Sequence, residues 1–226
     1  MRVVLRRCGV VGLAAAAAAT GTLLGSGSLL AAEQAYDAGP CARAVSRVEM
    51  AGPTEPGQRL LVNGRLFNPD GETPAPGLIV YAYQTDARGL YNEQRGGEPS
   101  LKGWAKTDAA GRFELVTIRP APYPTRTEPA HIHLQVWGPG VEPQWHDDIL
   151  FADDTLVTPA KRTRSEALGR FRFVHTLSMQ AATATISHNV RLKPRGDEFE
   201  DVIMHGLQAC RRSAAVPGVA SPVAPH

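Results

Sequence analysis

Short apolar runs, some continuous and some alternating with polar residues, recur along the chain from residue 58 onward. They predict strands at residues 59–67, 78–84, 101–107, 111–118, 131–137, 149–151, 170–177 and 184–192, with glycine, proline and aspartate in the connecting turns. The run LIVYAYQ at 78–84 is almost wholly apolar, which is typical of a strand buried on both faces. Short strands at this spacing predict an all-β fold, either a β-sandwich or a barrel.

The segments that flank these strands differ from them in composition. Residues 33–57 form a polar lead-in, in which 42–50 are predicted to form a short helix, and residues 58–212 hold the β-domain. Residues 213–226 are rich in alanine, proline and valine, which predicts a disordered tail. The 22 glycines and 18 prolines of the chain favour turns, so coiled coils and helical solenoids fit this sequence poorly.

The first 32 residues have the pattern of an export signal. Arg2, Arg6 and Arg7 precede an uncharged stretch at 10–30 that is rich in glycine and alanine, and two small residues follow at 31–32. The adjacent Arg6 and Arg7 resemble a twin-arginine signal, which predicts a periplasmic or extracellular protein. The alternative is an uncleaved leader of about 20 residues that anchors the chain in a membrane.

Charge gives no support for nucleic-acid binding. The chain has 24 Lys and Arg against 22 Asp and Glu, a formal net charge of +2. Without the three leader arginines, 21 basic residues remain against 22 acidic ones, a net charge of −1. The slight basicity therefore belongs to the leader, and no basic surface is predicted for the β-domain.

Cysteine usage agrees with export. Cys8 lies in the leader, so the mature chain retains only Cys41 and Cys210. A pair of cysteines in an oxidising compartment predicts a disulfide, which would contribute about 4 kcal/mol by closing so long a loop. The alternative is two unpaired, buried thiols.

The residues with the clearest chemical potential lie at 129–133, in the sequence PAHIH. Alternate residues of a strand face the same way, so His131 and His133 can bind one metal ion together. A lone His-x-His pair is weak evidence, because such pairs also occur as ordinary surface histidines. Upstream, Tyr123 lies in a rigid proline-rich segment, and Tyr91 lies in a turn after the strand at 78–84.

A phenol ionises near pH 10, so tyrosine is a good ligand only for a strongly Lewis-acidic, oxygen-preferring cation. Ferric iron meets that condition better than zinc. Two tyrosines and two histidines would also lower the net charge of the ion and stabilise it against reduction. The alternative for Tyr91 and Tyr123 is a core aromatic whose hydroxyl is hydrogen-bonded.

Several motifs at fixed spacings resemble the intradiol ring-cleavage dioxygenases, a family that includes protocatechuate 3,4-dioxygenase and catechol 1,2-dioxygenase. They are LKGWAKTD at 101–108, GRF at 111–113, TIRP at 117–120, YP at 123–124 and PAHIH at 129–133. The resemblance runs from about residue 59 to 173, roughly half the chain. Its weaker part, Thr-Asp-x-x-Gly, is shared with transthyretin-like binding modules.

The resemblance implies a transthyretin-like β-sandwich with short peripheral helices and one non-haem Fe(III) per chain. The implied ligands are Tyr91, Tyr123, His131 and His133, with Tyr123 and His133 axial and Tyr91 and His131 equatorial. Tyr123 is also implied to act as a catalytic base when substrate binds. The implied reaction is cleavage of a catechol between its two hydroxyls by O2, which gives a cis,cis-muconate-type diacid.

Two positions depart from the family pattern. Where relatives carry an arginine three residues before the first histidine, this chain has Glu128, and Arg126 is the candidate to take over that catalytic role. A pocket position often occupied by glutamine corresponds to Asp148, whose charge would disfavour a carboxylated substrate. The alternative for both acids is a solvated surface charge.

Two other functions compete with this interpretation. A non-catalytic transthyretin-like module would share the strands without using the histidine pair. A zinc hydrolase would use His131, His133 and either Asp147 or Asp148. The remaining histidines of the β-domain, which are His146, His175, His188 and His205, are interpreted as surface or core residues. The sequence leaves the oligomeric state open, a homo-oligomer included.

Overall fold

The computed structural model describes residues 39–93, 98–197 and 205–212, in which two β-sheets pack against a shared core. The strands are β1 (Arg47–Glu49), β2 (Arg59–Phe67), β3 (Ile79–Gln84), β4 (Leu101–Lys106), β5 (Arg112–Ile118), β6 (His131–Gly138), β7 (Val141–Trp145), β8 (Ile149–Phe151), β9 (Val174–His175), β10 (Ser178–Gln180) and β11 (Thr183–Arg191). The helices are α1 (Gly39–Ala42), α2 (Pro159–Ala167) and α3 (His205–Arg212), with a 3-10 turn at Gly169–Phe171. The predicted leader at 1–32 and tail at 213–226 lie outside the described residues.

The fold is the predicted all-β sandwich. One sheet has the strand order β1-β5-β2-β11-β10, and the other has the order β4-β3-β6-β8-β9 with β7 paired to β6. Apolar side chains of both sheets, such as Val62 and Leu115 from the first and Val80 and Leu134 from the second, form one buried cluster. None of the helices among the described residues is long and apolar enough to cross a membrane.

Strand β6 separates the core from the surface that concerns function. Its even-numbered residues, Ile132, Leu134 and Val136, belong to the core cluster. Because side chains alternate along a strand, His131 and His133 therefore lie on the opposite, outer face of the second sheet. The predicted common orientation of the two histidines is confirmed by their contact, with the Nε2 atoms 3.0 Å apart.

Two sequence predictions about elements are wrong. Residues 42–50 do not form a helix: α1 ends at Ala42, and Arg47–Glu49 is an edge strand that pairs in parallel with Glu114, Leu115 and Val116 of β5. Residues 170–177 are mostly not a strand, because the 3-10 turn occupies Gly169–Phe171 and only Val174–His175 pairs with β8. The other predicted strands agree with the structure to within one residue at each end.

The first and last helices among the described residues meet on the outer face of the second sheet. Cys41 of α1 and Cys210 of α3 form the predicted disulfide, with their Cα atoms 5.6 Å apart. Trp104 donates a hydrogen bond from Nε1 to the carbonyl of Gly206 at 3.0 Å. A side chain at Gly206 would clash, because a Cβ there would lie 2.3 Å from the Tyr81 ring. Helix α3 thus covers an aromatic surface next to the histidine pair.

A second pair of histidines lies inside the sandwich. His175 Nε2 and His188 Nδ1 are 2.9 Å apart, and both residues are buried. Burial, reinforced by the positive charge of Arg172, lowers the pKa of His175 to about 4. Burial, reinforced by His175 and His146, lowers the pKa of His188 well below its usual value. Both imidazoles are therefore neutral in the folded protein at neutral pH.

This pair predicts acid sensitivity of the fold. In the unfolded chain these histidines bind protons near pH 6.5, whereas in the folded protein His175 is protonated only near pH 4. The free energy of unfolding therefore falls as the pH drops from 6.5 to 4. We expect the shift at His175 to lower the free energy of unfolding by about 3 kcal/mol across this range. Urea denaturation at a series of pH values measures this. The variant His175→Gln should show a shallower slope of stability against pH, and an unchanged slope would contradict the assignment.

Candidate metal centre

Four side chains converge on the outer face of the second sheet. Tyr91 Oη lies 2.6 Å from Tyr123 Oη and 2.8 Å from His133 Nε2. Tyr123 Oη lies 3.1 Å from His131 Nε2, and the two Nε2 atoms are 3.0 Å apart. The four donor atoms therefore form a closed ring, although they come from positions spread over 43 residues of sequence, from 91 to 133.

The loop that carries Tyr91 is held by its own turn chemistry. Asp86 Oδ1 accepts the backbone N–H groups of Arg88 and Leu90 at 2.8 and 3.0 Å. Gly89 has a φ of 82°, and a Cβ there would lie 2.1 Å from the carbonyl oxygen of Pro122. Glycine is therefore required for the Tyr91 loop to pack against the segment that carries Tyr123.

The segment that carries Tyr123 is tied to the same loop. Thr85 donates its hydroxyl hydrogen to the Ala121 carbonyl at 2.7 Å, and the Ala121 N–H donates to the Asp86 carbonyl at 3.1 Å. Two phenols from separate loops are thereby fixed relative to one another by backbone contacts close to each of them.

Both histidines have their second ring nitrogen engaged. His131 Nδ1 lies 2.7 Å from the carbonyl oxygen of Pro129, and His133 Nδ1 lies 2.8 Å from Asp148 Oδ1. Each acceptor requires the hydrogen to be on Nδ1, so each Nε2 presents a lone pair toward the ring of donors. This is the usual arrangement of metal-binding histidines, in which an outer acceptor fixes tautomer and orientation.

The spacing of the donors fits a single bound ion. The four contacts of 2.6–3.1 Å bring two phenol oxygens and two imidazole nitrogens close enough together to share one small ion. The residues present therefore fit the ferric ion that the sequence resemblance implies.

The electrostatics of the site also favour a bound cation. Burial is the main cause that raises the pKa of Tyr91 and that of Tyr123, and for Tyr91 its hydrogen bond to Tyr123 raises the pKa further. Burial and the nearby His133 lower the pKa of His131. Without a cation the phenols stay protonated at neutral pH, so a strongly Lewis-acidic ion is needed to draw out two phenolates.

The alternative zinc site fits these contacts less well. His131, His133 and Asp148 do offer donor atoms within 4.8 Å of one another. Asp148, however, is hydrogen-bonded to Nδ1 of His133, on the side of the ring away from Nε2. Asp147 forms an ion pair with Arg164 at 2.7 Å. Both carboxylates are thus engaged elsewhere, while two phenols occupy the positions beside the histidines.

A cavity of about 260 Å³ opens beside the donors. Tyr123, His131 and His133 line it, together with Glu128, Pro129, Asp147, Asp148, Leu150, Lys161, Arg164 and Phe173. Arg126 lies on an exposed loop with a φ of 52°, and its backbone N–H donates to the Tyr123 carbonyl at 2.7 Å. Its predicted catalytic role remains a prediction.

Sequence reasoning missed three residues around the site. Tyr83 pairs with His133 across β3 and β6, and the two rings stack with centroids 4.4 Å apart. Lys161 and Arg164 reach the cavity from α2, where Lys161 pairs with Glu128 at 2.9 Å. The start of α2 does have a local signal, because Thr158 caps the helix just before Pro159.

The chain is similar to known dioxygenases over most of its length. A family model described as Dioxygenase matches residues 33–194. The chain is 26% identical over 189 residues to the protocatechuate 3,4-dioxygenase beta chain of Burkholderia cepacia, covering 77% of this chain and 76% of that one. It is 28% identical over 138 residues to catechol 1,2-dioxygenase 2 of Acinetobacter lwoffii, covering 48% of this chain and only half of that protein.

Solved structures agree in fold. The dioxygenase domain of a dioxygenase carbohydrate-binding protein fusion from Streptomyces sp. SirexAA-E has a TM-score of 0.50 at 22% identity, covering 66% of this chain and 90% of that one. Catechol 1,2-dioxygenase from Pseudomonas arvilla C-1 has a TM-score of 0.53 at 23% identity, covering 70% of this chain and 59% of that one. At these identities the likeness concerns the fold alone.

Proposed function

The chain belongs to the intradiol ring-cleavage dioxygenase family, and from this premise we propose that it is a non-haem Fe(III) enzyme that cleaves catechols between their hydroxyls with O2. The product would be a cis,cis-muconate-type diacid. The observation that carries the proposal is the closed ring of donor atoms from Tyr91, Tyr123, His131 and His133. A non-catalytic binding module would have no use for such a ring.

The ferric ion, when bound, would supply Lewis acidity and a route for electron density between the catechol ring and O2. Tyr123 lines the cavity, so its oxygen can take up a proton from a substrate hydroxyl as the catechol enters. Asp148 and the Pro129 carbonyl hold the two imidazoles in place throughout.

The charges around the cavity favour a catechol without a carboxylate on its ring. Glu128 is paired with Lys161, and Asp147 is paired with Arg164. Asp148 has only the imidazole of His133 beside it among the contacts described for this site. A carboxylate attached directly to the substrate ring would therefore be repelled by Asp148.

We also propose that the protein is exported. The leader has the composition of a twin-arginine signal, and disulfides persist mainly in oxidising compartments. The Cys41–Cys210 disulfide supports this placement.

The decisive experiment is an anaerobic titration of the iron-loaded protein with catechol, followed by admission of O2. We expect a red-brown protein whose tyrosinate-to-iron absorption band shifts when catechol binds, and a muconate product after O2 enters. A colourless protein at full iron loading, or a coloured one that leaves catechol intact, would overturn the proposal.

Removal of the Asp148 carboxylate should weaken iron binding. The variant Asp148→Ala deprives His133 Nδ1 of its acceptor at 2.8 Å, and loss of such an outer partner typically costs about 10–100-fold in metal affinity. Competition with a chelator measures the dissociation constant. Asp147→Ala is the matched control, because that carboxylate contacts Arg164 and not a histidine. Equal iron affinities for the two variants would refute the positioning role of Asp148.

A further inference from the structure

A second cavity, of about 340 Å³, adjoins the one at the donor ring. The two share a wall formed by Asp147, Arg164 and Phe173, whose side chains line both. We propose that this second cavity, called here the arm chamber, binds a substituent of the catechol ring that is mainly apolar and ends in a carboxylate. This inference rests on the proposed function and names its substrate class.

The sizes of the two cavities support a two-part substrate. The cavity at the donor ring, about 260 Å³, lies below the usual range of drug-sized ligand pockets, about 300–1,000 Å³. It suits one aromatic ring. The arm chamber adds a larger volume directly beside it, so a ring with a substituent of several carbons can occupy both.

The wall between the cavities is a side-chain partition that a ligand can pass. Arg164 holds Asp147 at 2.7 and 3.0 Å, with 63% and 36% of their side chains exposed. Exposed ion pairs of this kind contribute little to stability. The guanidinium of Arg164 also lies over the Phe173 ring, 5.0 Å from its centroid. A substituent that crosses here would therefore meet an aromatic face and a cation.

The arm chamber has an apolar floor and a cationic rim. Leu168, Phe171 and Phe173 supply apolar surface, and Arg191 and Lys193 supply positive charge. Lys193 is paired with Asp197 at 2.7 Å, whereas the guanidinium of Arg191 lies 5.4 Å from the centroid of the Phe171 ring. Arg191 is exposed, so it can turn toward an anion at the end of the substituent.

His146 adds a polar group to the same chamber. Its Nε2 is buried and has no hydrogen-bond partner among the described residues. A buried polar atom without a hydrogen-bond partner is unfavourable, so an occupant with a polar end is favoured over a purely apolar one. The charge preference thus reverses between the cavities: a carboxylate is disfavoured on the ring and favoured at the end of an arm.

Steady-state kinetics with three catechols tests the proposal. The substrates are catechol, protocatechuate (a carboxylate on the ring) and dihydrocaffeate (a carboxylate at the end of a propanoate arm). We expect kcat/KM for dihydrocaffeate to exceed that for protocatechuate by at least about tenfold. In Leu168→Trp, which fills the arm chamber, the ratio of kcat/KM for dihydrocaffeate to that for catechol should fall by about tenfold.

Charge reversal at the rim provides the matched comparison. Arg191→Glu should lower the dihydrocaffeate-to-catechol ratio, while Arg195→Glu, the same change at an exposed arginine that does not line either cavity, should leave it unchanged. Equal ratios in the wild type, Leu168→Trp and Arg191→Glu would overturn the proposal.

A binding measurement separates this inference from the proposed function. Hydrocinnamate carries the same propanoate arm on a plain phenyl ring, so it can be titrated against iron-free protein and followed by tryptophan fluorescence. Saturable binding that Arg191→Glu weakens supports the arm chamber even if catechol is not cleaved. Absence of saturable binding overturns it, whereas failure to cleave catechol itself counts only against the proposed function.

Discussion

Replacing Tyr123 by phenylalanine is expected to lower kcat for catechol cleavage by about 10²–10⁴-fold. The change removes only the hydroxyl, but that oxygen lies 2.6 Å from Tyr91 Oη and 3.1 Å from His131 Nε2, inside the ring of donors. The variant therefore loses both a proposed iron ligand and the proposed acceptor of a substrate proton. The intensity of the tyrosinate-to-iron band in the iron-loaded variant measures the loss of the ligand. Turnover at saturating catechol measures the loss of the proton acceptor.

Tyr83→Phe is the matched control for this prediction. Tyr83 stacks on His133 through its ring, with centroids 4.4 Å apart, so removal of its hydroxyl retains the packing that supports the imidazole. We expect its absorption band and kcat to stay close to those of the wild type. If Tyr123→Phe retained wild-type turnover, or if Tyr83→Phe lost as much as Tyr123→Phe, Tyr123 would have no special role.

The four donors were identifiable from sequence because each stands in a recognisable local context. His131 and His133 alternate on a strand, and Tyr123 follows a proline-rich motif at a fixed distance before them. Their actual convergence depends on which strands are neighbours. Tyr83 could not be identified in this way. It lies opposite His133 only because β3 pairs with β6 in one register, and no local sequence pattern specifies that register.

The difference between local sequence pattern and long-range strand pairing also explains which predicted elements are right and which are wrong. Strand β2 shows local alternation and β8 is a short run of apolar residues, and the predicted bounds of both match the structure. Strand β1 has only three residues and exists because Arg47–Glu49 pair with β5, more than 60 residues away in sequence. Long-range pairing overrides local propensity there, so the predicted helix at 42–50 does not form.

The cavity cations were missed for a related reason. Lys161 and Arg164 lie about 30 residues after the histidine pair, on a helix whose start is readable from Thr158 and Pro159 but whose position against the site is not. Glu128 was recognised as a departure from the family pattern, but its partner Lys161 was not. An ion pair between distant elements becomes visible only when the packing is known.

Removing the disulfide by the double substitution Cys41→Ser and Cys210→Ser should lower the free energy of unfolding by about 2–5 kcal/mol. The crosslink spans 169 residues of sequence, so its loss greatly increases the conformational entropy of the unfolded chain. Urea denaturation of the oxidised wild type and the double variant measures the difference. Reduced wild type is the control, and it should unfold at the same urea concentration as the double variant.

Loss of this disulfide should also weaken iron retention at the proposed metal centre. Helix α3 covers Tyr81, whose ring stacks on that of Tyr83 with centroids 5.5 Å apart, and Tyr83 in turn stacks on His133. If α3 detaches more easily, this row of rings loses its cover, and we expect iron to be released at a lower urea concentration than in the oxidised wild type. If the oxidised wild type and the double variant unfold and release iron at the same urea concentration, neither the crosslink nor the row of rings stabilises the site.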